Sequence, residues 1–406
     1  MSEAGKTFSR QTVSRTVLKA TVIVAGMLLL AGALGANQSW WDGHFLPLFF
    51  FSRNKYLLGE ALARLGAGMA GIALIAFGGK AVDMLACRLR ENEFAGNLLR
   101  LILAVALALA AGEAIMGRSF TFAAAERQPG EEPVRQPDQK LGWVYTPAHD
   151  GSTMVGGRRI FYSIDPLGYR VAHRDAPVDV DQPTILFTGE SIISGYGLTW
   201  DETIPAQVGA ALGMQTANMA VFGYANDQAY LRAQSELPRF HRPLALVSLF
   251  MPSLVARNLG DDRPHLGPGL TWRPAVHRLW LTSLFRFLAP YHGEAEIEQG
   301  IQATRAQLIA TAALARRYGA ISLVVDAQYG PETPVERMLR WRILEKPGID
   351  YVRVKLDPGW HLKDDLHPDP RAAQAIAMAV AARLKADLGR ARELSGPESH
   401  DDGAAD

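Results

Sequence analysis

Residues 184–191 read TILFTGES, and this stretch decides the fold. Its first five residues are apolar or β-branched and lie between Pro183 and Gly189, which is the pattern of a short strand with turn residues at both ends. Glu190 and Ser191 follow directly. A serine flanked by glycine at the end of a strand can expose its hydroxyl, and its own backbone N–H is then free to bind an oxyanion. The stretch therefore predicts a strand that ends at a candidate nucleophile.

Further short apolar runs downstream predict four more strands, at residues 216–222, 244–250, 320–326 and 351–355. Helical patterns alternate with them, at residues 204–212, 225–237, 294–318 and 372–384. Strands that are apolar throughout and alternate with helices form a parallel sheet that is covered on both faces. We therefore predict an α/β three-layer (α/β/α) domain with a parallel sheet. Sites in such sheets form at the carboxyl ends of the strands, where Ser191 lies.

The chain upstream contains three apolar stretches, at residues 20–36, 57–79 and 98–117, each long enough to cross a membrane as a helix. The second contains two charges in its first two turns, Glu60 and Arg64, so a buried soluble helix is its alternative. A cleavable signal peptide is the alternative for the first stretch. The small residues of the second and third stretches permit close helix packing, which predicts a three-helix transmembrane anchor over residues 1–117.

The distribution of basic residues predicts the orientation of this anchor. Eight lysines and arginines lie either in the N-terminal tail or in and beside the loop between the second and third stretches. Only two lie in the loop between the first and second stretches. Basic residues stay preferentially in the cytoplasm. We expect a multi-pass protein of the inner (cytoplasmic) membrane with a cytoplasmic N-terminus and a periplasmic or extracellular domain. Cys87 then faces the reducing compartment.

The composition excludes several classes of function. Lys plus Arg number 42 and Asp plus Glu number 41, so the chain lacks the basic surplus that general nucleic-acid binding requires. The single cysteine excludes an intramolecular disulfide and a thiolate-rich zinc site. Proline-rich residues 118–140 are predicted to form a linker, residues 141–390 the α/β domain, and residues 391–406 a disordered acidic tail.

A second group of reactive side chains lies near the end of the predicted domain, in Asp364, Asp365 and His367. Asp364 precedes His367 by three residues, so on one turn its carboxylate can reach the imidazole and stabilise the imidazolium. Such a histidine is the base that a weakly nucleophilic serine needs. Zinc binding by these residues with His361 is the alternative, but no second ligand cluster completes a site. We expect no metal and no cofactor.

Five segments of the sequence carry a resemblance to a known family: ILFTGESIISGYGLTWDETIP at 185–205, LGWVY at 141–145, DPLGYR at 165–170, NMAVFGYAN at 218–226 and DLHPD at 365–369. They resemble segments of the SGNH (GDSL-type) hydrolase superfamily, in particular of its membrane-anchored bacterial members. Together they cover residues 141–384. The resemblance implies an esterase domain whose catalytic residues lie near its two ends.

The resemblance also implies a role for each site residue. Ser191 is the expected nucleophile, His367 the general base and Asp364 its orienting partner. The oxyanion would bind the backbone N–H groups of Ser191 and Gly223. The superfamily takes a third donor from an asparagine after the third strand, where this chain has Ser253 as the likeliest equivalent, with Asn258 or Asn226 as alternatives. The chain also has Glu190 where the superfamily has aspartate.

The function expected from these features is a membrane-anchored serine esterase that acts through an acyl-enzyme on an O-acyl group of an envelope glycan or lipid. One alternative is an O-acyltransferase for a surface polysaccharide, which would need a membrane acyl-transfer partner. A catalytically inactive glycan-binding module is the other. Residues 275–291 are amphipathic and are interpreted as a helix or lid over the sheet, or as a segment on the membrane surface.

Overall fold

The computed structural model describes residues 3–47, 53–88, 92–120, 131–276, 279, 282 and 291–395. The chain divides into two compact units. The first, here called the helical unit, contains the long N-terminal helices. The second, here called the α/β unit, contains the strands and helices from residue 131 onward, and each unit is described by itself below.

The described residues of the helical unit form four helices: α1 Glu3–Gly35, α2 Gln38–His44, α3 Arg53–Arg88 and α4 Asn92–Phe120. Three of these helices contain segments that are long and apolar enough to cross a membrane: Arg15–Gly35, Arg53–Leu85 and Gly96–Ile115. These segments overlap the three stretches that were predicted from sequence. The structure thus confirms three apolar helices that could span a membrane.

Helices α1 and α3 pack closely through glycine. A Cβ atom added to Gly26 would lie 2.8 Å from the backbone oxygen of Gly71, and one added to Gly71 would lie 2.7 Å from the backbone oxygen of Gly26. Any larger residue would force the helices apart at this point. A salt bridge of 2.7 Å between Lys19 and Asp83 joins the same two helices. The packing follows the small-residue pattern of helix pairs in membranes.

The α/β unit contains twelve strands and seven further helices among its described residues. The strands are β1 Arg135–Asp138, β2 Gly142–Tyr145, β3 His149–Val155, β4 Arg158–Ile164, β5 Arg170–Val171, β6 Thr184–Phe187, β7 Gln215–Asn218, β8 Pro243–Phe250, β9 His265–Leu266, β10 Trp272–Arg273, β11 Ile321–Tyr329 and β12 Tyr351–Leu356. The helices are α5 Ser191–Ser194, α6 Ile204–Leu212, α7 Asn226–Glu236, α8 Pro252–Asn258, α9 Glu294–Arg317, α10 Pro334–Arg340 and α11 Pro370–Ser395.

Eight strands form the main sheet, in the order β12-β11-β8-β6-β7-β5-β4-β3. The first five are parallel, and β6 is central, with Phe187 opposite Asn218 of β7 and Val247 of β8. These five are the strands predicted from sequence, and helices separate them in the chain, so the α/β architecture with a parallel sheet is confirmed. The carboxyl ends of β6, β8 and β11 meet at the same edge of the sheet.

The other three strands of the sheet were not predicted. β5 pairs antiparallel with β7, and β4 and β3 extend the sheet antiparallel beyond it. The sequence does carry their signal, because Ile160, Tyr162 and Ile164 are buried while Phe161 between them is 66% exposed. Such alternation with a period of two is typical of a strand with one solvated face.

Two predicted boundaries differ from the observed elements. β1 pairs with β2 as an antiparallel hairpin, so it lies inside the segment predicted to be a linker. Helix α11 continues to Ser395, so the first residues of the predicted acidic tail are helical. The rest of that tail lies outside the described residues, and so does most of the amphipathic segment predicted at 275–291.

Candidate active site

Ser191 lies at the first residue of helix α5, immediately after the central strand β6. Gly189 adopts φ 154°, and a Cβ atom there would lie 3.1 Å from Ile193, so this position favours glycine. Glu190 caps the helix, since its Oε1 accepts a hydrogen bond of 3.1 Å from the backbone N–H of Ile192. The strand, the glycine and the cap together fix the direction of the Ser191 side chain.

The turn that follows Ser191 is held by Arg170 of β5. This guanidinium is fully buried, and it donates hydrogen bonds to the backbone oxygens of Ser194, Gly195 and Leu198 at 2.6–2.7 Å. Burial lowers the pKa of Arg170 from its usual value, because it disfavours the charged form. The three carbonyl oxygens stabilise the buried charge by accepting its hydrogen bonds. The antiparallel part of the sheet thereby supports the nucleophile's turn.

His367 contacts Ser191 from the other end of the domain. Its Nε2 lies 2.7 Å from Oγ of Ser191, and its Nδ1 lies 2.6 Å from Oδ1 of Asp365. Burial acts to raise the pKa of Asp365, but the hydrogen bond and the charge of His367 outweigh it, so the pKa lies below its ordinary value. The carboxylate is therefore ionised near neutral pH and can stabilise an imidazolium. Serine, histidine and aspartate form one continuous chain of contacts.

The acid in this chain is Asp365, which corrects the sequence prediction of Asp364. Asp364 is exposed and has a left-handed backbone with φ 62°. The segment is a tight turn, closed by a hydrogen bond of 2.9 Å from the N–H of Leu362 to the carbonyl of His367. The prediction assumed a helical turn, in which residues three apart share a face. In the observed turn the Asp365 carboxylate instead folds back onto the N–H of His367, at 2.8 Å.

The two backbone N–H groups predicted to bind the oxyanion are those of Ser191 and Gly223. Within the part of the chain that the structure describes, neither the N–H of Ser191 nor that of Gly223 donates a hydrogen bond. Gly223 has φ 80°, and a Cβ atom there would lie 3.2 Å from Trp143. Both the positive φ and the lack of room for a Cβ atom therefore favour glycine at this position. The indole of Trp143 is itself fixed by a hydrogen bond of 2.8 Å to the carbonyl of Phe222.

The role of the predicted third donor, Ser253, stays a prediction. Ser253 lies in the first turn of α8, and among the described residues it makes no hydrogen bond to Ser191, His367 or Asp365. Asn258 and Asn226 bond each other, with Nδ2 of Asn258 lying 3.1 Å from Oδ1 of Asn226. Nδ2 of Asn258 also donates to Thr304 at 2.7 Å, and Nδ2 of Asn226 donates to the carbonyl of Leu249 at 2.9 Å. Both amides are buried in a structural network.

Sequence reasoning did not predict the contacts of three residues that lie near Ser191 and His367. Oε2 of Glu190 lies 2.5 Å from Oγ of Ser191, and Nη1 of Arg257 lies 3.6 Å from the same oxygen of Glu190. The ring of Tyr196 lies 4.4 Å from that of His367. Burial and the charge of Asp365 raise the pKa of Tyr196. The signal for Glu190 was visible as the departure from aspartate, whereas nothing in the sequence pattern marks Arg257 or Tyr196.

Comparison with known proteins gives structural neighbours only, since no family model and no curated protein matches the chain. A GDSL-like lipase from Bacteroides thetaiotaomicron VPI-5482 is 12% identical and has a TM-score of 0.32, with 50% of this chain and 89% of the lipase covered. An acetyl xylan esterase from the rumen bacterium Butyrivibrio proteoclasticus is 14% identical with a TM-score of 0.32, and 53% of this chain and 66% of the esterase are covered. A family two carbohydrate esterase from Clostridium thermocellum has the same identity and coverages with a TM-score of 0.34.

These values are too low to assign a family or a substrate, so the function must be argued from the site itself. The solved structures to which this chain is similar are GDSL-type lipases and carbohydrate esterases.

Proposed function

We propose that the chain is a membrane-anchored serine esterase. The observation that carries the proposal is the chain of contacts from Ser191 through His367 to Asp365, with distances of 2.7 Å and 2.6 Å. A serine hydroxyl becomes an effective nucleophile when a histidine accepts its proton and a carboxylate stabilises the resulting charge. No metal or cofactor is required for this chemistry.

The proposed reaction passes through an acyl-enzyme. Oγ of Ser191 attacks the ester carbonyl while its proton moves to Nε2 of His367, and Asp365 stabilises the imidazolium. The N–H groups of Ser191 and Gly223 bind the oxyanion of the tetrahedral intermediate. His367 then returns the proton to the leaving alcohol, and a water molecule activated by the same histidine releases the acid.

The proposed substrate is an O-acyl group on a glycan or lipid of the cell envelope. Support comes from the three apolar helices and from the basic residues that flank them, which favour a cytoplasmic N-terminus and an exported α/β unit. An enzyme anchored in this way acts on esters at or near the membrane surface. Transfer of the acyl group to a sugar hydroxyl instead of water uses the same triad and differs only in the acceptor.

Covalent labelling tests the nucleophile. The full-length chain in detergent is treated with a fluorophosphonate, and the labelled residue is mapped by mass spectrometry. We expect labelling at Ser191 that is lost in Ser191→Ala and in His367→Ala, together with hydrolysis of a small acetyl ester by the unsubstituted chain. A folded chain that takes no label would contradict the esterase proposal and favour the glycan-binding module.

The orientation is tested separately with a reporter fused after Phe120, the last residue of α4. We expect a reporter that is active only in the exported compartment to be active there. A fusion that is expressed in full but inactive would overturn the three-crossing topology and with it the envelope substrate.

A further inference from the structure

Helix α8 follows β8, the third of the strands predicted from sequence, and its last turn brings Arg257 to the site. Nη1 of Arg257 donates a hydrogen bond of 3.0 Å to the carbonyl oxygen of Tyr224 and lies 3.6 Å from Oε2 of Glu190. Glu190 directly precedes Ser191 in the chain. Tyr224 directly follows Gly223. The guanidinium therefore contacts a chain neighbour of each residue whose N–H is expected to bind the oxyanion.

Most of the donors of this guanidinium remain unused. A guanidinium carries five N–H groups. One of them donates to Tyr224, and the others make no hydrogen bond to the residues that the structure describes. The Arg257 side chain is 23% exposed, whereas that of Glu190 is 4% exposed. Unused donors therefore remain close to the nucleophile, on a side chain that solvent can reach.

Other residues hold the backbone of Arg257 in place. Nη2 of Arg263 donates to the carbonyl oxygen of Arg257 at 3.2 Å, and Nη1 of Arg263 is paired at 2.9 Å with the buried carboxyl group of Asp227. Asn258, the next residue in the chain, exchanges two hydrogen bonds with Asn226. Because these contacts fix the end of α8, the guanidinium extends from a fixed position, and a substitution at Arg257 leaves the contacts of the helix intact.

The positive charge makes this position significant for catalysis. When Oγ of Ser191 attacks an ester, negative charge develops on the former carbonyl oxygen. An arginine guanidinium carries a delocalised positive charge and donates strong hydrogen bonds to oxygen anions. Its attraction for negative charge is stronger in a partly buried site than in water. The two backbone N–H groups contribute only partial charges, whereas Arg257 contributes a full charge.

We propose that Arg257 is a further catalytic residue, which donates a hydrogen bond from its guanidinium to the oxyanion as a third donor beside the N–H groups of Ser191 and Gly223. This inference rests on the proposed esterase function and deepens it. The sequence resemblance leads one to expect an asparagine donor after the third strand. In this chain the adjacent Asn258 is engaged with Asn226, and the same segment supplies a cation instead.

The guanidinium keeps all of its protons in the proposed step. The bond between Oγ and the ester carbon forms while the carbonyl π electrons move to oxygen, and the hydroxyl proton of Ser191 passes to Nε2 of His367. When the intermediate collapses, the bond to the leaving alcohol breaks and the alcohol takes the proton from His367. Arg257 thus binds the charged intermediate more tightly than the neutral ester, which is the condition for raising kcat.

The test compares Arg257→Met with the unsubstituted full-length chain in detergent. Loss of one oxyanion donor should lower kcat for a small acetyl ester by about 10²–10³-fold and change KM little. Arg257→Lys, which keeps the charge, should retain more of the kcat. Arg342→Met is the matched control and should leave kcat unchanged. Arg342 is a partly exposed arginine paired with Glu298 at 2.7 Å, and neither residue lies in an element that carries a residue of the triad.

Two further measurements distinguish a contact with the oxyanion from a merely structural role. Phenylboronic acid binds a catalytic serine as a tetrahedral adduct that resembles the intermediate, so its inhibition constant in Arg257→Met should rise by a factor similar to the loss of kcat. Glu190→Gln replaces the carboxyl group that faces Arg257, and the effect of Arg257→Met should persist in that background. If the guanidinium acted only by pairing with Glu190, its effect would disappear there.

Thermal unfolding in detergent shows whether each variant is folded. If Arg257→Met does not fold, Arg257→Gln takes its place, because glutamine keeps an amide donor and lacks the charge. Its kcat should fall in the same direction.

The outcomes separate this inference from the esterase proposal. A wild-type chain that takes no fluorophosphonate label and hydrolyses no ester refutes the esterase function itself. An active wild type whose Arg257→Met variant keeps its kcat, or changes only in KM, refutes the role of Arg257 and leaves the esterase intact. A loss of kcat that disappears in the Glu190→Gln background overturns the inference by making Arg257 a positioning residue. A large loss in Ser253→Ala, with little loss in Arg257→Met, assigns the third donor to Ser253 instead.

Discussion

The two ends of the catalytic chain of contacts differ in how the fold positions them. Ser191 follows directly from β6, the central strand, so the regular geometry of the sheet sets its place. His367 and Asp365 lie in the irregular segment between β12 and α11, where one left-handed residue, Asp364, redirects the chain. A residue next to a regular element is placed by the pattern of that element. A residue in a turn is placed by individual backbone angles, which the pattern does not reveal.

The largest effect is expected from substitutions in the turn that contains Asp364 and Asp365. Asp365→Asn removes the charge that stabilises the His367 imidazolium and disturbs the tautomer, so kcat for a small acetyl ester should fall by about 10⁴-fold. Asp364→Asn is the matched control in the same turn. Because the Asp364 side chain is exposed and the carboxylate bonded to Nδ1 of His367 is that of Asp365, this change should alter kcat by less than about twofold.

The reverse result would restore the sequence prediction. A large loss in Asp364→Asn with little loss in Asp365→Asn would mean that the turn rearranges when substrate binds. Circular dichroism of both variants excludes a loss of folding as the cause.

The next effect tests the nucleophile end, where the oxyanion is expected to bind. In Gly223→Ala the added Cβ would meet Trp143 at 3.2 Å in a residue with φ 80°, so the backbone and its N–H must move. Loss of one such donor costs about 10²–10³-fold in kcat. Steady-state kinetics on the acetyl ester measures the loss, with KM expected to change little.

Gly213→Ala controls for backbone strain alone. Gly213 has φ 64° at the end of α6, and a Cβ atom there would meet nothing within 4 Å. This variant should lose stability and keep its kcat. If Gly223→Ala retained full kcat, the N–H of Gly223 could not be an oxyanion donor.

The smallest effect concerns the asparagine network. Asn258→Ala leaves the N–H and the Oδ1 of Asn226 without a described partner, although Thr304 keeps its hydrogen bond to the carbonyl of Gly300, and this should lower the free energy of unfolding by about 1–3 kcal/mol. Thermal unfolding in detergent measures this change, and Thr304→Val should show part of it. The kcat of the folded fraction should stay within about twofold. A loss of 10²-fold in kcat at normal stability would instead identify Asn258 as the missing oxyanion donor.

Sequence reasoning predicted those parts of the molecule that regular hydrophobic patterns determine. The five parallel strands, the three apolar helices and the meeting of Ser191 with His367 follow from hydrophobic runs and from the rule that strand ends share one edge of a sheet. The antiparallel strands were missed, although Ile160 and Tyr162 alternate with exposed residues, because no strand was assigned between residues 141 and 183. Asp365 was missed because residues three apart were assumed to share a face.

The contacts of individual side chains could not be predicted from the sequence. Whether Asn258 reaches the oxyanion site or pairs with Asn226 depends on where α8 packs against α7 and α9, and no local pattern encodes this. The close approach of Glu190 to the Ser191 hydroxyl likewise depends on a rotamer that the helix cap selects.

The contact between His367 and Ser191 joins residues that are 176 positions apart in the chain. A ribosome adding 5–20 residues per second needs roughly 10–35 s to go from the serine to the histidine. During that interval the serine exists without its base. If Ser191 and His367 act as proposed, the chain cannot attack esters while it is being made, and it becomes reactive only when β12 and the turn beyond it have folded.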